Sequence, residues 1–86
     1  MKYLQIILNL PINQPFTYSY IPDEKEKEEL VPQIGKRAEI MFGNRKTTGF
    51  IVDILDEVPP TCPVDKGKIR PIKRILDKEP LFQKEL

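Results

Sequence analysis

Residues 34–55, IGKRAEIMFGNRKTTGFIVDIL, read as two strands joined by a tight turn. Ala38, Ile40 and Phe42 alternate with Arg37, Glu39 and Met41, the period of two that marks a half-buried strand. Gly43-Asn44 follows, and both residues tolerate the positive φ that hairpin turns demand. The return strand places Thr48, Phe50, Val52 and Ile54 on one face and Ile51 and Leu55 on the other. It is apolar on both sides near its end, as in a central strand or one where a sheet curls over itself. Gly49 marks a bulge or a close backbone approach within it.

Working outward, residues 2–10 read as a first strand with Leu4, Ile6 and Leu8 inward and Tyr3, Gln5 and Asn9 outward. Pro11 ends it, because proline has no N–H for a ladder. Phe16-Thr17-Tyr18-Ser19-Tyr20 is a second strand, aromatic on one face and hydroxylated on the other. Such aromatics are more often core than ligand platform, although an exposed edge tyrosine can stack a base. Asp23 to Leu30 has helix formers, an acid-rich first turn and Asp23 as an N-cap. It lacks an apolar stripe, so a helix near residues 23–30 would be short and exposed. After Asp56, three prolines and a glycine predict a long irregular loop that carries Cys62. Ile69 to Leu76 reads as a last strand, with Pro71 suited to an edge. The fold class is therefore mainly β: a small antiparallel sheet curled towards an open barrel. Residues 1–86 are expected to form one domain, with residues 77–86 beginning a linker to a further domain.

Composition narrows the chemistry. The chain has no histidine and one cysteine, which removes the commonest general base, the commonest metal ligand and any internal disulfide. Cys62 has no base near it in sequence to activate the thiol. There is no Gly-rich phosphate loop and no nucleophile–base pair, so a stand-alone enzyme is not expected, nor is a cofactor or a metal. No apolar run is long enough for a membrane span. The formal net charge of +1 conceals segregation: residues 23–29 hold five acids against two lysines, while Lys36, Arg37, Arg45 and Lys46 face only Glu39 within 36–46. Residues 65–78 hold six cations against two aspartates. Charge alone is explained equally well by solvated faces or by a basic groove for a polyanion. In the second reading Arg45, Lys46, Arg70 and Lys73 line one face, and Asp23 to Glu29 lie away from it.

Four segments occur in order: PINQPFTYSY, IGKRAEIMFG, TGFIVDI and IKRILDKEPLF. Together they resemble the N-terminal domain of the replication-restart helicase family PriA, also called primosomal protein N′. The resemblance spans nearly the whole chain and rests above all on the G-x-R-x-x-x-x-F-G hairpin and the closing I-L-D-x-E-P. It implies binding of the 3′-terminal nucleotide of the nascent leading strand at stalled forks. The implied partners are that 3′ end and forked DNA, the remaining helicase domains of the same protein, other primosome proteins and single-stranded-DNA-binding protein. The implied setting is the bacterial cytoplasm. The family's pocket positions correspond here to Phe16, Thr17, Tyr18, Gly43 and Arg70. Thr17 stands where the family commonly has aspartate, Arg70 where it has lysine, and Met41 where it has the proline before F-G. A hydroxyl keeps a hydrogen bond but not a charged acceptor, and arginine keeps the charge and adds a planar fork. A reading from another class is an SH3-like β-barrel adaptor that binds a protein in a groove formed by Phe16, Tyr18 and Tyr20. Salt separates the two, because polyanion binding weakens steeply with salt and an apolar groove does not.

Overall fold

A computed structural model describes residues 1–11, 14–22, 31–60, 62 and 64–81. The expected helix near 23–30, and the acidic run within it, lie outside the described residues. Five strands form: β1 Lys2–Leu8, β2 Phe16–Tyr20, β3 Arg37–Phe42, β4 Arg45–Leu55 and β5 Arg74–Ile75. They make one antiparallel sheet in the order β2-β1-β4-β3-β5. The mainly β class and the curled sheet follow the sequence expectation. Helix among the described residues is limited to one 3₁₀ turn at Lys66–Lys68.

The hairpin forms as its alternation requires. Ala38 and Ile40 are fully buried, and Met41 pairs with Lys46 and Phe42 with Arg45 on either side of the turn. Gly43 takes φ +62 and Asn44 does not go positive, so the first turn position alone needs glycine, as in type II′ turns. The core joins Leu4, Ile6 and Leu8 of β1 to Tyr18, Ala38, Ile40, Ile51 and Ile75, with Phe16, Tyr20, Phe42, Ile54 and Ile72 packed around it.

The faces of β4 differ from the sequence reading. Ile51 is fully buried opposite Ile6, whereas Phe50 is 38% exposed. The register shifts between Gln5, which faces Asp53, and Ile6, which faces Ile51. Val52 is therefore the extra residue of a β-bulge. A bulge moves the alternation by one residue, so the inward set is Gly49 and Ile51 before it and Ile54 after it. Gly49 is the close approach rather than the bulge: a Cβ there would lie 2.3 Å from Ile6 Cγ2 and 3.0 Å from the Ile7 carbonyl oxygen. Tyr3, expected to face outward, lies outside the core cluster yet is buried. β1 has a partner on each side, and Tyr3 lies between Ser19 and Leu55 in the ladders.

The last strand is shorter than residues 69–76, because Pro71 cannot donate and the segment changes partners. The Ser19 N–H donates to the Arg70 carbonyl at 2.9 Å and the Ile72 N–H to the Ser19 carbonyl at 3.1 Å, at the β2 edge. The Lys73 N–H then donates to the Glu39 carbonyl at 2.7 Å and the Leu76 N–H to the Arg37 carbonyl at 2.9 Å, at the β3 edge. One short segment thus ties together the two edges of the curled sheet, which protects edges that would otherwise pair with other chains.

Two cations of the hairpin are held by the fold rather than displayed. Lys36 is fully buried and its Nζ donates to the Val31 carbonyl at 2.9 Å. Arg37 pairs with Asp77 across 40 positions of sequence: its Nη2 lies 2.9 Å from Oδ1, and its backbone N–H donates to Oδ2 at 2.7 Å. The Asp77 side chain is 9% exposed. The hydrogen bond from Arg37 holds its carboxyl below the usual carboxylate range, against the opposing effect of burial. Leu81 remains attached to the body through its N–H, which donates to the Gly35 carbonyl at 2.9 Å.

Candidate nucleic-acid interface

The hairpin turn, one end of β2 and the Pro-rich loop meet around a cavity of about 270 Å³. β2 contributes Phe16, Thr17 and Tyr18, and the end of β3 contributes Met41 and Phe42. Gly43 lies at the turn, while Cys62, Val64, Lys68, Ile69 and Arg70 come over from the loop. Phe16 and Phe42 meet edge to face, with centroids 5.1 Å apart and planes at 72°, and form an aromatic corner.

The positions matched by the resemblance, Phe16, Thr17, Tyr18, Gly43 and Arg70, all border this one cavity. Arg45, Lys46 and Lys73 are exposed but do not border it. Residues missing from the sequence reading of the site are Met41, Phe42, Cys62, Val64, Lys68 and Ile69. Lys68 carried a signal, since it lies two residues before Arg70 in the basic segment. Val64 carried none, because an irregular loop does not disclose what it folds over.

Each wall has a distinct physical origin. Tyr18 is buried, so its ring serves packing, and its hydroxyl donates to the Met41 carbonyl at 3.0 Å, which fixes the end of β3 to β2. Burial pushes its phenol above the usual tyrosine range, and the positive charge of Arg70 opposes that shift. Arg70 is exposed and its Nη1 donates to the Gly43 carbonyl at 2.8 Å, so the loop is fastened to the turn at the cavity mouth. One N–H of the guanidinium makes this bond out of the five such a group carries. A Cβ at Gly43 would meet nothing within 4 Å, so this glycine serves backbone conformation and leaves the mouth open. The Cys62 thiol lies 3.5 Å from the Val64 carbonyl within the loop. Among the described residues no cluster of histidine, cysteine or carboxylates could hold a metal ion, and no helix is long and apolar enough to cross a membrane.

A recess of about 270 Å³ with an aromatic corner and two bordering cations offers a stacking surface and positive charge, the two means by which β domains bind single-stranded nucleic acid. The chain belongs to the PriA 3′ DNA-binding domain family: the family model described as "3'DNA-binding domain (3'BD)" matches residues 5–86. No curated protein matches the chain as a relative. Membership makes it a DNA-binding rather than a catalytic domain, serving DNA 3′-end binding in PriA and replication restart.

Proposed function

We propose that this domain binds the 3′-terminal nucleotide of the nascent leading strand at stalled forks, as the N-terminal domain of a replication-restart helicase. The observation that carries the reading is the convergence of Phe16, Thr17, Tyr18, Gly43 and Arg70, from three separate parts of the chain, on one cavity. Its volume of about 270 Å³ is suited to one nucleoside and is below the roughly 300 Å³ where sites for drug-sized ligands begin. The terminal base rests against the Phe16–Phe42 corner, where stacking tolerates any base and contributes about 1–3 kcal/mol. The free 3′-hydroxyl reaches backbone groups at the Gly43 turn. Arg70, with Lys68 beside it, holds the adjoining phosphate. Arg45, Lys46 and Lys73 hold backbone further from the terminus.

In this reading residues 1–86 are one domain, and ATP-driven helicase domains follow it in the same protein. Its wider partners are primosome proteins and single-stranded-DNA-binding protein, in the bacterial cytoplasm. The test uses short oligonucleotides identical except at the terminus: 3′-hydroxyl, 3′-phosphate, and a closed circle. Preference for the 3′-hydroxyl is expected, since a hydroxyl can donate to a backbone carbonyl at the turn, whereas a 3′-phosphate cannot and adds bulk. Neutralising two or three phosphates gives a slope of log K against log salt of about −1.5 to −2. Equal binding to all three termini would leave a generic basic patch and defeat the reading.

A further inference from the structure

The cavity is walled by strands that are not neighbours. β2 supplies Phe16 to Tyr18 and the end of β3 supplies Met41 and Phe42, yet β1 and β4 lie between them in the sheet. Two ties across the open side of the curl set their spacing. One is the bond from the Tyr18 hydroxyl to the Met41 carbonyl. The other is the segment 70–77, which bonds to Ser19 of β2 and then to Glu39 and Arg37 of β3. Arg70 at its start borders the cavity and reaches the Gly43 turn. Asp77 at its end holds both the backbone N–H and the guanidinium of Arg37. Ile75 is the one buried residue from Arg70 to Leu81. With so little apolar burial the segment depends on these polar bonds, and segments of that kind open at low free-energy cost.

We infer that Asp77 is a positioning residue for the strand-end site: by locking the strap 70–77 to β3 it sets the width of the cavity and the place of Arg70, so that seating of the strap and occupation of the cavity are one coupled equilibrium. The inference rests on the reading that the cavity takes a strand's terminal nucleotide. Asp77 does not border the cavity and acts only through the strap. A seated strap holds Ser19, and with it the adjoining Phe16–Tyr18 wall, at a fixed distance from Met41 and Phe42. A released strap leaves that spacing to a single hydroxyl bond and withdraws Arg70 from the mouth. DNA that binds the seated form alone favours seating. By reciprocity, whatever releases the strap weakens DNA binding.

The test measures the coupling from both ends. Hydrogen exchange of the Lys73 and Leu76 amides, the donors to the Glu39 and Arg37 carbonyls, is followed with and without a short 3′-hydroxyl oligonucleotide. At about ten times Kd of free oligonucleotide, their protection is expected to rise roughly tenfold, because the strap opens only after DNA has left. A strap that opens without regard to the cavity shows no change. From the other end, Asp77→Asn is expected to weaken binding about threefold, as when the competent form falls to roughly a third. Ile6→Val is the control for mere destabilisation: it trims a fully buried β1 residue away from the strap, lowers the melting temperature and should leave affinity unchanged. Unchanged protection of the two amides, unchanged affinity in Asp77→Asn, or an equal loss in Ile6→Val would each overturn the inference. The exchange measurement needs no variant, so it decides the matter where Asp77→Asn does not fold. If the unsubstituted domain binds all three termini alike, the strand-end reading fails and the inference with it. A preserved 3′-hydroxyl preference with unchanged protection defeats the inference alone.

Discussion

Two arginines fasten this domain, and they do so in opposite ways. Arg37 meets a carboxylate that is 9% exposed, with Asp77 Oδ1 taking an N–H of Arg37 Nη2 and Oδ2 taking the Arg37 backbone N–H. Arg70 meets the Gly43 carbonyl through one bond at an exposed cavity mouth. The first contact closes the sheet, because Asp77 follows the segment that bonds to both sheet edges. The second uses one of a guanidinium's five donors, on an exposed residue that borders the cavity with Lys68. A cation answered by a carboxylate is structural. Arg70, answered by one neutral oxygen at an exposed position, keeps its charge available for a phosphate.

The largest effect should come from breaking the first contact. Asp77→Ala leaves the Arg37 backbone donor without its acceptor, and we expect a loss on the order of 2 kcal/mol, discounted for the partial exposure of the guanidinium. In thermal melts of a domain this size that is a fall of roughly 8–16 °C. The Asp77 carboxyl is depressed in the folded state. Its stabilisation is therefore present above the ordinary aspartate value of about 3.9 and disappears as pH falls through the lower folded value. The melting difference between Asp77→Asn and the unsubstituted domain should narrow across that acidic window; a constant difference would show that charge is not what holds the contact.

Arg70→Ala inverts the pattern. We expect a loss of about tenfold in binding to 3′-ended single strands, near 1.4 kcal/mol, with a change in melting temperature much smaller than that of Asp77→Ala. A large fall in stability with unchanged affinity would make the two arginines alike and remove the distinction between them. Tyr18→Phe lies between, since it removes the bond to the Met41 carbonyl that supports the cavity wall. A stability loss of about 1 kcal/mol is expected in denaturant titration. The raised phenol value means that the Tyr18 contribution is complete below about pH 10 and is lost as pH rises through the folded value. The smallest effect separates the cavity border from the wider surface. Lys68→Ala should reduce the salt slope by about 0.7 and Lys73→Ala by less, because Lys73 does not border the cavity. Equal slopes for the two variants would indicate a diffuse basic face.

The motifs most specific to the family turn out to serve closure more than contact. In G-x-R, Arg37 is the partner of Asp77 in I-L-D, and the Gly35 carbonyl receives the N–H of Leu81. Nothing in a charge count could separate Arg37 from Arg70, because the two differ only in what lies near them after folding. The same holds for Lys36, which counts towards the basic segment 36–46 in sequence and is fully buried in the fold.

Sequence by itself determined the hairpin, the first two strands and the inward set Leu4, Ile6 and Leu8. These depend on local alternation and turn chemistry, which act over a few residues. It also located Phe16, Thr17, Tyr18, Gly43 and Arg70 as a set, through resemblance. Only the tertiary structure decided where β4 changes face, because a bulge is defined by the register of a partner strand and not by the strand itself. Only it brought Val64 and Lys68 to the cavity, since an irregular loop has no periodicity to reveal its target. And only it set Gln5 against Thr17, because pairing across a ladder joins residues 12 positions apart whose chemistry is silent until they meet.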